Sequence, residues 1–131
     1  MKSGAIPRLP DAELAVMQAI WQLDCPCTRP ELDGLLQPAH GWGPTTVLNL
    51  LSRLENRGFV EKQRQGRGYL YVALVNRDAY LQSESRNVLT RVFGGSVKQF
   101  VAALNGGESL STRDVEELSD YLETLKHQSG Q

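Results

Sequence analysis

Apolar side chains recur at helical intervals over residues 10–23. Leu14, Met17 and Trp21 share one face, and Val16, Ile20 and Leu23 widen it. Pro10 suits a first helical turn, and Asp11 and Glu13 lie where a helix presents its positive end. Cys25-Pro26-Cys27 leaves room only for a turn or a brief strand. Thr28-Arg29-Pro30-Glu31 has the form of a capping box and predicts a second helix, ending near Gln37. Residues 38–43, with Pro38, Gly41 and Gly43, then read as a loop. Pro44 opens a third helix, in which Val47, Leu50, Leu51 and Leu54 recur at i, i+3, i+4 and i+7. Its other face carries Thr45, Thr46, Asn49, Ser52, Arg53 and Asn56. Gly58 is placed to end that helix in the left-handed conformation.

The period then shortens from 3.6 to 2. Residues 59–64 and 69–75 alternate as strands, and Gln65-Gly66-Arg67-Gly68 between them is a glycine-rich turn, so the pair reads as a hairpin. Three helices followed by a hairpin is the order of a winged helix-turn-helix. Asn76-Arg77-Asp78 starts a long helix that reaches Phe93 and breaks at Gly94-Gly95. A short helix follows, with a second break at Asn105-Gly106-Gly107. Ser111-Thr112-Arg113-Asp114 resembles another capping box and opens the last helix.

These C-terminal helices are amphipathic. The first carries Tyr80, Leu81, Val88, Leu89, Val92 and Phe93. The second carries Val97, Phe100, Val101 and Leu104. The third carries Val115, Leu118, Leu122 and Leu125 at near-heptad spacing. Beside a small winged helix such stripes bury little, so they are expected to meet the same stripes of a second chain about a two-fold axis. The expected architecture is mainly α with a small β-hairpin. A winged-helix domain occupies residues 1–76 and a helical dimerisation domain residues 77–131.

Charge sharpens the picture only locally. The formal net charge is −1, with eight Lys or Arg against seven Asp or Glu in residues 1–75 and six against eight in residues 76–131. Within residues 49–72, however, Arg53, Arg57, Lys62, Arg64 and Arg67 face only Glu55 and Glu61. A basic cluster on an otherwise balanced chain suits one phosphate-facing surface. The start lacks the apolar stretch of a signal peptide, and no apolar run approaches the roughly 20 residues of a membrane span. Two cysteines one residue apart do not form a secreted framework, so a cytoplasmic protein without membrane insertion is expected. No nucleophile elbow, phosphate loop or metal-protease motif occurs, which argues against an enzyme. Cys25 and Cys27, even with His40, make an incomplete metal site, so no metal or cofactor is expected.

The order of these landmarks resembles the penicillinase and methicillin-resistance repressors, the BlaI/MecI/CopY family of transcriptional regulators, from about Leu9 to Lys126. The residues that carry the resemblance are Leu9-Pro10-Asp11-Ala12-Glu13 leading to Trp21, then Pro44-Thr45-Thr46-Val47 running to Leu54 and Gly58-Phe59-Val60. Tyr69-Leu70-Tyr71 and Phe93-Gly94-Gly95-Ser96 continue it. The resemblance implies a homodimeric repressor of a resistance or stress-response gene, bound to an inverted-repeat operator in double-stranded DNA. It makes the third helix the recognition helix and the hairpin the wing. It also implies a link to a membrane sensor-protease, with Ala103 and Leu104 at the position of the family's cleaved bond. The copper-sensing branch's C-terminal cysteines are missing, since no cysteine follows Cys27.

Chemistry supports the same surface. Thr45, Thr46 and Asn49 lie in the first turns of the third helix, the part that reaches base edges in a major groove. Asparagine can pair bidentately with adenine, and a threonine methyl can touch a thymine methyl. Ser52 and Arg53 follow one turn on. Lys62, Arg64 and Arg67 of the hairpin would lie along the backbone and supply affinity rather than sequence information. Leu48 and Asn49 depart from the family, which usually has a basic or polar residue at the first position and threonine at the second, and Thr45 is likewise often basic there, so the usual operator is not assumed. Leu48 counts with the DNA-binding residues, where it would touch a thymine methyl or another chain. The competing expectation is a winged helix used only for protein docking, which the apolar Leu48 and the near-neutral net charge favour.

Overall fold

Three helices come first in the computed structural model, which describes residues 6–24 and 26–129. They are α1 (Asp11–Leu23), α2 (Arg29–His40) and α3 (Pro44–Asn56). An antiparallel hairpin follows, β1 (Val60–Gln65) and β2 (Gly68–Ala73), and then α4 (Arg77–Phe93), α5 (Val97–Gly107) and α6 (Thr112–Ser129). The contacts divide the chain into two compact units between Arg86 and Asn87.

The first unit is a winged helix whose core is built from the predicted stripes. Val16, Met17 and Ile20 of α1 pack with Leu32 and Leu36 of α2 and with Val47, Leu50, Leu51 and Leu54 of α3. Phe59, just before the hairpin, and Val60 and Tyr71 within it close the core. The capping box forms: Thr28 Oγ1 accepts the Glu31 N–H at 3.3 Å, and Glu31 Oε1 accepts the Thr28 N–H at 2.8 Å. Cys27 exchanges backbone hydrogen bonds with Tyr71, at 3.1 and 2.7 Å. That single bridge stands where the sequence predicts a turn or a brief strand, and it ties the wing to the α1–α2 connection.

Two predicted breaks fall later than the pattern suggests. Helix α2 runs through Pro38 to His40, although Pro38 has no N–H to give to the Gly34 carbonyl four residues back. Gly41 at φ 74° then closes the last turn, its N–H reaching Gln37 O at 2.7 Å. Helix α5 likewise includes Gly106 and Gly107. Glycine weakens a helix without forbidding it. The turn that leaves α5 is held by Asn105, whose Oδ1 accepts the Leu110 N–H at 2.9 Å.

Tyr80 requires a correction. The apolar pattern of α4 assigns it to a contact between chains, but it is 3% exposed in the first unit's core. Its ring lies 5.9 Å from both Phe59 and Trp21, and its hydroxyl accepts the Leu9 N–H at 3.0 Å. The opening turns of α4 therefore seal the winged helix, and Asn76 caps them through the Ala79 N–H at 2.8 Å.

The second unit contains the end of α4 with α5 and α6. Phe93 meets Phe100 edge to face at 5.2 Å. Ser96 caps α5 by accepting the Gln99 N–H, and Ser111 caps α6 by accepting the Asp114 N–H. No residue of α5 or α6 is buried.

Candidate nucleic-acid interface

Helix α3 begins at Pro44, with Gly43 extended before it, so its first turn carries Thr45 and Thr46 free of capping duty. The side chains of Val47, Leu50, Leu51 and Leu54 are buried, which forces the remaining positions outward. Thr45, Thr46, Leu48, Asn49, Ser52 and Arg53 are all exposed. Gly58, at φ 85°, ends the element. Its N–H reaches Glu55 O at 3.1 Å, the Phe59 N–H reaches Leu54 O at 2.9 Å, and the chain turns into β1.

The basic cluster separates into two roles. Arg57 leaves the surface group: its Nε donates to Glu13 Oε1 at 2.6 Å, and Glu13 is 2% exposed in the core. Arg53, Lys62, Arg64 and Arg67 are exposed, and no ion pair among the described residues holds them. The possible partner Glu55 does not engage Arg53.

The wing organises two of these cations. Arg64 pairs with Tyr69 in the strand register, and Lys62 pairs with Tyr71. Lys62 Nζ lies 4.5 Å and Arg64 Cζ 5.9 Å from the centre of the Tyr69 ring, within cation–π range. Tyr69 thus gathers two positive charges on one face of the hairpin. Its role depends on cross-strand register, which residue spacing on a single strand does not display. Arg67 sits in the turn between the strands. Tyr71 behind them is buried, and burial first, then the nearby Glu55 carboxylate, pushes its hydroxyl above the ordinary tyrosine range.

Helix and wing share a concavity of about 360 Å³, lined by Thr28, Arg29, Pro30, Leu48, Gln65, Gly68, Tyr69 and Tyr71. The fold thereby brings Leu48 of α3 beside the aromatic residues of the wing. Arg29 on its rim is paired with Asp33.

The residues expected at a contact between chains, Tyr80 apart, are exposed or half-buried. Leu81, Val92, Val97, Phe100, Leu104, Val115, Leu118, Leu122 and Leu125 are exposed, and Val88, Leu89, Phe93 and Val101 are half-buried. Tyr121, 60% exposed next to Leu122, joins them, although the near-heptad pattern passes over it. Ala103 is exposed beside Leu104.

Cys25 lies outside the described residues. Cys27 is 1% exposed in the core, and His40 stacks on Trp42 with ring centres 4.2 Å apart. Among the described residues no cluster of His, Cys, Asp and Glu is arranged to hold a metal ion, and no helix is long and apolar enough to cross a membrane.

Comparison with known proteins agrees with this geometry. The chain is 30% identical over 122 residues to the penicillinase repressor of Bacillus licheniformis, covering 93% of this chain and 94% of that protein. It is 27% identical over 111 residues to the methicillin resistance regulatory protein MecI of Staphylococcus aureus, covering 85% of this chain and 89% of that protein. Two solution structures of BlaI match at a TM-score of 0.50 and 31% identity, each covering 61% of this chain and 94% of the other. One is its DNA-binding domain. The other is the Bacillus licheniformis protein in monomeric form in complex with the blaP half-operator. The profile of the penicillinase repressor family matches residues 9–124, and the chain belongs to that family.

Proposed function

We propose that this protein is a sequence-specific transcriptional repressor that binds an inverted-repeat operator as a homodimer and controls a resistance or stress-response gene. The observation that carries this is the division of α3 into four buried aliphatic side chains and an exposed polar face. A helix presenting Thr45, Thr46 and Asn49 in its first turns fits a major groove, with Asn49 suited to an adenine edge. Arg53 and the wing cations Lys62, Arg64 and Arg67 would run along phosphates on either side.

The dimer reading is supported by the second unit. Its helices α5 and α6 contain no buried residue, yet they carry Phe100, Leu104, Val115, Leu118 and Leu122. Apolar stripes of that length need a cover, and a second copy supplies an identical set. Phe100→Asp with Leu118→Asp should convert the protein to a folded monomer in sedimentation experiments.

The direct test is protection of the protein's own upstream DNA. The expected result is a two-fold symmetric site with half-sites about one helical turn apart, roughly 34 Å. Asn49→Ala should relax base preference at one position of each half-site. No protection at low salt by folded, dimeric protein would instead favour the docking module, which tolerates Arg53→Ala and Arg67→Ala.

A further inference from the structure

Leu48 is the one large aliphatic side chain that α3 leaves exposed, at 45%. A single exposed leucine is ordinary on a protein surface and needs no account. Its surroundings are more particular. Leu48 lies on the face that also carries Thr45 at i−3, Asn49 at i+1 and Ser52 at i+4, all exposed. It also lines the concavity shared with Pro30, Tyr69 and Tyr71, and Tyr69 is itself 41% exposed. Thr28, Arg29 and Gln65 are the polar residues of the same lining. The adjoining strand holds Lys62 and Arg64 against the Tyr69 ring.

Any duplex that brings Thr45 and Asn49 to base edges brings Leu48 into the same groove, because they share a helix face. The major groove displays one apolar group, the C5 methyl of thymine. The cations of the neighbouring hairpin suit the backbone that carries such a base, and they suit an apolar protein surface poorly. We propose that Leu48 is a specificity-determining residue that reads the methyl group of one thymine in each half-site. The proposal rests on the operator-binding reading and deepens it.

The test uses the operator defined by protection. Each thymine is replaced in turn by deoxyuridine, which removes only the methyl, symmetrically in both half-sites. Wild type and Leu48→Ala are titrated against each duplex. Burying one methyl corresponds to about a fourfold change in affinity, so symmetric loss of two should weaken wild type about 16-fold at one position. Leu48→Ala should be insensitive at that position while keeping its response to Asn49→Ala. Leu48 is exposed, so the variant should melt like wild type.

Three results overturn the proposal. Wild type could bind every uracil duplex equally, Leu48→Ala could retain the full methyl response, or Leu48→Ala could shift the sedimentation coefficient, which would assign Leu48 to a protein contact. Specific binding without methyl sensitivity removes this inference alone, whereas the absence of any protected site removes the operator reading with it.

Discussion

Arg57 and Arg67 belong to one basic segment of sequence, and their substitutions should have opposite consequences. The Nε of Arg57 is 2.6 Å from Glu13 Oε1, with the glutamate side chain 3% exposed and the arginine side chain 39% exposed. Arg57→Ala strands a carboxylate inside the first unit. Removing one partner of a fully buried pair costs about 3–5 kcal/mol. Water can reach the Arg57 side of this pair, so screening reduces the expected cost to about 2 kcal/mol, a fall in Tm of roughly 6–10 °C. The slope of log affinity against log salt should not move, because this cation meets no phosphate. Arg67→Ala should do the reverse. It is an exposed turn residue, so stability should stay within about 0.5 kcal/mol. One lost phosphate contact per chain should make the salt slope shallower by about 0.9, or about 1.8 for a dimer. Calorimetry at fixed protein concentration and anisotropy titrations over a salt series measure both quantities. An Arg57→Ala protein that melts like wild type and loses salt slope would place Arg57 on the DNA face and refute this division of roles.

Tyr80→Phe should lower stability by about 1–2 kcal/mol, by leaving the Leu9 N–H unpaired, with no change in sedimentation; weakened self-association would return Tyr80 to a contact between chains. Gly58→Ala meets open space around the new Cβ but must adopt φ 85°, so chemical denaturation should register about 1–2 kcal/mol of backbone strain, and a much larger loss would point to a clash. Tyr71 has its proton held more tightly when folded than at the ordinary value of 10.0. The unfolded chain therefore ionises first, the stabilisation is complete below pH 10, and it declines as pH rises toward the folded value. Tyr71→Phe should flatten that decline in stability measured across the alkaline range.

Local signals carried most of the fold because each element states its own period. The i, i+3, i+4, i+7 stripe of α3 predicts a buried face, and those four residues are buried. The capping box at Thr28 and Glu31 forms as spelled. Single-residue signals served less well where neighbours outweighed them. Pro38 suggested a stop, yet α2 gives up the bond to the Gly34 carbonyl and ends only at Gly41, whose left-handed backbone closes the last turn. Gly106 and Gly107 suggested another, and α5 does end there, with Gly107 as its last residue. Tyr80 failed for a different reason. An amphipathic helix shows which face is apolar, but not whether that face meets its own chain or another. Only the hydroxyl on Leu9 and the rings of Phe59 and Trp21 decide it.

The candidate site divides along the same line. Exposure of Thr45, Thr46, Asn49, Ser52 and Arg53 follows from helix geometry once the buried stripe is known, so a one-dimensional pattern suffices. The electrostatics do not follow, because they depend on partners distant in sequence. Arg57 leaves the basic cluster through Glu13, 44 positions away. Lys62 and Arg64 are gathered by Tyr69 only because the hairpin register places that ring among them. The unpaired positive charge of this surface is therefore smaller than the sequence count and more ordered than it. Leu48 gains meaning by the same route. On the helix alone it is one exposed leucine, and the wing sets it in a concavity with Pro30, Tyr69 and Tyr71. A segment with five basic residues against two acidic ones thus resolves into a structural ion pair, a cationic wing and one exposed leucine. Arg67 and Leu48, both exposed, can be altered without disturbing the buried stripe that holds α3 in place.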